Sequence, residues 1–61
     1  MAQFRVALAN GDRLVVTAEA IDNIPEFVGE LKNKGYVTGR LDGSNEAVAL
    51  VDPHVAMVEL V

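Results

Sequence analysis

Residues 46–61 constrain the fold more than any other stretch. They read as two short strands, over 46–51 and 55–60, interrupted by Asp52-Pro53-His54. In the first, Val48 and Leu50 fall on one face, with Ala47, Ala49 and Val51 on the other. In the second, Val55, Met57 and Val61 alternate with Ala56, Val58 and Leu60. Side chains alternate across a strand, so a sheet built from such strands needs an apolar cover on each face. A chain of 61 residues, 51% of them hydrophobic, has little to cover them with. At that length roughly 60% of the unfolded surface is buried, against an ordering cost of roughly 1.5 kcal/mol per residue. Disulfides are excluded because there is no cysteine, and a structural metal is unsupported by the single His54. Association remains. The expectation is a homo-oligomer whose interface draws on Val48, Leu50, Val55, Met57, Val58 and Leu60.

The other elements are locally specified. Phe4-Arg5-Val6-Ala7-Leu8 and Leu14-Val15-Val16-Thr17-Ala18 flank Asn10-Gly11 and form a β-hairpin. A two-residue loop would pair Val6 with Val15 and scatter apolar groups over both faces. A three-residue loop, Ala9-Asn10-Gly11, pairs Val6 with Leu14 and collects Phe4, Val6, Leu8, Leu14, Val16 and Ala18 on one face. The second register is expected, with Gly11 left-handed. Ile24, Phe27, Val28 and Leu31 follow the i, i+3, i+4, i+7 spacing of an amphipathic helix over residues 23–34. Asn23 and Glu26 form a capping box, Pro25 suits the first turn, and Gly35 stops the helix. Glu30 and Lys34 lie one turn apart and can pair. Tyr36 to Leu41 and residues 46–51 make a second hairpin around Asp42-Gly43-Ser44-Asn45, and Val55 to Leu60 a last strand. The order is ββαβββ in a single domain over 1–61. It reads as an α+β fold, a curled antiparallel sheet or SH3-like partial barrel with one helix.

Five basic against nine acidic side chains leave a formal charge of −4, which disfavours nucleic acid and anionic membranes as partners. No apolar run approaches the roughly 20 residues of a membrane helix, and no signal-peptide pattern opens the chain. With no cysteine either, a soluble, cytoplasmic protein is expected.

Catalytic groups are scarce, and an enzyme is not expected. His54 is read as a turn residue because neither a cysteine nor a serine outside a loop offers it a nucleophile to activate. Asp42, Ser44 and Glu46 alternate like oxygen ligands of a calcium loop, but Ala47 and Pro53 stand where its glycine and bidentate acid belong. No metal or cofactor is expected. The glycines lack phosphate-loop spacing. Gly29 sits inside the helix, which calls for a close neighbour or a solvent face, and Gly39 sits in mid-strand, which suggests a bulge or bend. Arg5, Arg13 and Arg40, with Tyr36 for stacking, are the candidate ligand-binding residues: an anionic small molecule such as a nucleotide could be held where they converge.

The opening Phe4-Arg5-Val6…Asn10-Gly11-Asp12 and the closing Val51-Asp52-Pro53-His54-Val55-Ala56-Met57-Val58-Glu59 resemble small proteins of unknown function encoded by bacteriophages, especially those of actinobacteria. The closing turn and strand are also similar to those of SH3-like barrels. The phage resemblance implies a role in the infected cell, hence the host cytoplasm, or in the particle. The expected function is a non-catalytic homo-oligomeric interaction protein that binds or inhibits a host protein. The alternatives are a module sequestering an anionic small molecule and a virion structural or assembly component.

Overall fold

The computed structural model describes residues 2–61. Strands Ala2–Leu8 (β1) and Arg13–Ala18 (β2) pair in the three-residue-loop register, Val6 opposite Leu14 and Phe4 opposite Val16. Gly11 takes φ 96°, as that loop requires. Its N–H donates to the Leu8 carbonyl at 3.0 Å, and the Asp12 N–H donates to Asn10 Oδ1 at 3.0 Å. The apolar face so assembled is the one that becomes buried, with Phe4, Val6, Val16 and Ala18 all inside.

The helix α1 runs Ile24–Lys34. Asn23 Oδ1 accepts from the Glu26 N–H at 2.9 Å, as in a capping box, but the reciprocal bond differs. Glu26 Oε1 takes its hydrogen bond from the Asn23 side-chain amide, at 2.9 Å, rather than from the backbone. Gly35 ends the helix at φ 83° with its N–H on the Leu31 carbonyl. Phe27 and Leu31 are buried and Ile24 is partly buried, whereas Val28 is 39% exposed on the flank. Around Gly29 there is open space, with nothing within 4 Å of where a Cβ would stand. Gly29→Ala therefore removes the backbone-entropy penalty of a helical glycine without a clash. It should stabilise the domain by about 1 kcal/mol, read as a melting temperature raised by roughly 4–8 °C.

Strands Tyr36–Leu41 (β3) and Ala47–Val51 (β4) form the second hairpin, with Val37 opposite Leu50. A 3-10 turn, Asp52–His54, leads into Val55–Leu60 (β5), which pairs antiparallel with β1. The sheet order is β4-β3-β2-β1-β5: five antiparallel strands, curled and unclosed, as the sequence pattern implied. Two local expectations shift. The register slip lies in β5, where Ala7 faces Met57 but Leu8 faces Val55, so that Ala56 is the extra residue of a bulge. Gly39 sits instead in a regular ladder, and its lack of a side chain serves a close approach. A Cβ there would stand 2.7 Å from the Thr17 carbonyl oxygen of the neighbouring strand β2.

The β2–β3 ladder has only two register pairs, Val16 with Leu41 and Thr17 with Arg40, whereas β3–β4 has five. Beyond Thr17 the two strands splay apart. The helix packs against the inner side of this wedge. Phe27 packs its ring 4.8 Å from that of Phe4, and Leu31 joins Val37 and Leu50 from the second hairpin in the same cluster. Ile21, in the β2–α1 connection, is buried there too.

Candidate functional site

Three surfaces could carry a function. The first lies along β5. Leu60 on its inner face is 52% exposed and Val28 on the helix flank 39%, while Met57 on its outer face is 46% exposed, so apolar side chains remain on the surface on both sides of the strand. A groove of about 170 Å³ runs between α1 and β5, lined by Val28, Leu31, Val55, Ala56, Met57 and Val58. Lys32 Nζ donates to Asp52 Oδ1 at 3.1 Å on its rim. The strand is also an edge. The Val61 N–H donates to the Gln3 carbonyl, at 3.1 Å, so within the ladder the alternate residues Val58 and Leu60 turn their amides and carbonyls away from β1. Of the six residues expected at an interface, Leu50 belongs to the chain's own core, and Val48, Val55 and Val58 are partly buried against that core. Only Met57 and Leu60 are exposed. Val28 is a member that periodicity pointed inward; it is exposed because the helix seats on Phe27 and Leu31.

The second surface is the outer face of the sheet. The register places Arg5, Arg13 and Arg40 there, with Arg5 opposite Val15, Arg13 opposite Ala7 and Arg40 opposite Thr17. They are spread over three strands rather than gathered around one point. Arg5 Nη1 lies 3.8 Å from Glu59 Oε2, and Arg40 Nη1 donates to the Asn45 carbonyl at 3.1 Å.

The third is an open cleft of about 650 Å³ where β2 and β3 diverge, walled by α1, residues 19–21 and β3. Tyr36 and Arg40 line it, but so do Glu19, Glu26 and Glu30. Lys34 Nζ meets Glu30 Oε2 at 2.9 Å, and this hydrogen bond, with the carboxylate's charge, raises the Lys34 amine above its ordinary value of 10.5. With three carboxylates against Lys34 and Arg40, the cleft suits a neutral or cationic group better than an anion.

The remaining polar candidates are engaged in turns. The Ser44 hydroxyl accepts from the Glu46 N–H at 3.3 Å, and Asp42 Oδ1 accepts from Gln3 Nε2 at 3.2 Å. His54 is exposed, and its carbonyl accepts from the Ala9 N–H at 2.8 Å. Among the described residues no helix is long and apolar enough to cross a membrane. Compared with protein families, with curated proteins and with solved structures, the chain matches none.

Proposed function

We propose that this chain is a non-catalytic interaction protein, phage-encoded, that acts as a small homo-oligomer and binds or blocks a host protein. One observation carries the reading: at the β5 sheet edge and on the adjoining flank of α1 the apolar side chains Met57, Leu60 and Val28 stay exposed. Ala47, Ala49 and Val51 on β4, at the other sheet edge, are exposed as well and leave a second strand for a partner. Sequestration of an anionic small molecule draws less support, because Arg5 and Arg40 have partners within the chain and the cleft is walled by carboxylates. Light scattering at micromolar concentration tests the oligomer. An average mass above 6.5 kDa that rises with concentration is expected, and a strictly monomeric mass overturns the reading.

A further inference from the structure

Resting on the homo-oligomeric reading above, we propose that β5 pairs antiparallel with β5 of a second copy of this chain, about a two-fold axis through Val58. Sheet edges of proteins that stay apart are blunted by lysine, proline, inward charges or bulges. Here the bulge at Ala56 blunts only the start of β5. From Met57 to Leu60 the single charge is Glu59, which lies on the outer face opposite Arg5. Val58 and Leu60, which present the free backbone groups, carry their side chains on the inner face as register partners of Val6 and Phe4. An antiparallel edge is complementary to itself, so the second copy needs no feature that the first lacks. Its Val58 and Leu60 would enter the groove beside Val28, extending both small cores into one. The β4 edge offers less: on its inner face Leu50 is buried in the core, whereas Leu60 on β5 is half exposed.

Charge selects the register. An axis through Glu59 would set two carboxylates directly opposite on a molecule that already carries −4, which is unfavourable. An axis through Met57 would set Leu60 against His54, which lies in the 3-10 turn outside the strand, and leave it uncovered. An axis through Val58 pairs Val58 with itself, Met57 with the second copy's Glu59, and Leu60 with the small Ala56. A stable dimer commonly buries about 800 Å² per partner, which is near a fifth of this chain's 3895 Å² surface. One strand edge and a helix flank supply less, so the dimer should be a micromolar one.

Because the chain has no cysteine, single substitutions report the geometry directly. Facing residues of an antiparallel pair stand about 5.5 Å apart at Cα, within disulfide reach. Under mild oxidation at high micromolar concentration, Val58→Cys should run largely as a covalent dimer, while Ala49→Cys on β4 should stay single. Leu60→Cys and Ala56→Cys, both at exposed positions where folding is not at risk, should bridge to each other when mixed and far less when alone. A wild-type chain that is oligomeric while neither Val58→Cys nor the mixture bridges overturns this interface and leaves the homo-oligomeric reading standing. Bridging by Ala49→Cys in preference to Val58→Cys does the same. A monomeric wild-type chain overturns both.

Discussion

Phe27→Ala is expected to leave the domain largely unfolded at ambient temperature, with the helical and strand signals of circular dichroism lost together. Phe27 is completely buried, and its ring lies 4.8 Å from that of Phe4 at a 50° tilt. Truncating a buried phenylalanine costs about 3–5 kcal/mol through lost transfer energy and the cavity left behind. A chain of this length has a total stability of roughly 0.05–0.15 kcal/mol per residue, hence about 3–9 kcal/mol. The loss is therefore comparable to everything that holds the fold. The position multiplies the effect, because Phe27 joins the sheet half made by β5, β1 and β2 to the half made by β3 and β4. Val28→Ala, one residue along on the exposed flank, serves as the contrast and should cost under about 1 kcal/mol. A Phe27→Ala melt within a few degrees of wild type would show that the helix is not seated as described.

Gly39→Ala should have the next largest effect and the opposite sign to Gly29→Ala. A single methyl group at Gly39 would lie 2.7 Å from the Thr17 carbonyl oxygen, a backbone atom that can retreat only by parting β2 from β3. Overpacking of this kind costs about 1–3 kcal/mol. The strain falls on a ladder of two register pairs, the narrowest seam in the sheet. The urea midpoint should drop, and the amide of Asp42, which donates to the Val15 carbonyl at 2.8 Å across that seam, should lose its hydrogen-exchange protection first. The reverse outcome, an unchanged midpoint with the Asp42 amide still protected, would mean that β2 and β3 do not approach so closely. The same substitution at two glycines thus separates local propensity from tertiary space. In the helix the methyl group meets nothing, and in the strand it meets a neighbouring chain segment.

Those two glycines also mark how far the chain could be read unaided. At Gly29 the helical pattern allowed either a close neighbour or a solvent face, and the structure leaves the position open. At Gly39 a bulge or bend was expected, whereas the constraint is contact with a segment more than twenty residues away. The candidate surface shows the same division. That residues 46–61 hold more apolar groups than they can hide was visible in the alternation of Val48, Leu50, Val55 and Met57. Which of these lie outside was not, since Leu50 is core while Met57 and Leu60 are exposed. The three arginines share a face, as strand parity implies, but the width of the sheet keeps them apart.

What the sequence determined by itself rests on interactions closed within a few residues. Among these are the three-residue loop that sets Val6 against Leu14, the Asn23 cap and Gly35 stop of α1, the Glu30–Lys34 pair, and the proline turn before β5. Their energies depend on local geometry, so residue type and spacing suffice to specify them. The tertiary structure alone decided that β1 lies between β2 and β5, that the bulge falls at Ala56, that Ile21 is buried and that Val28 is not. Periodicity marks which side chains share a face. Whether anything covers that face depends on how two sheet halves and a helix close around Phe27, and that is settled by packing between segments far apart in the chain.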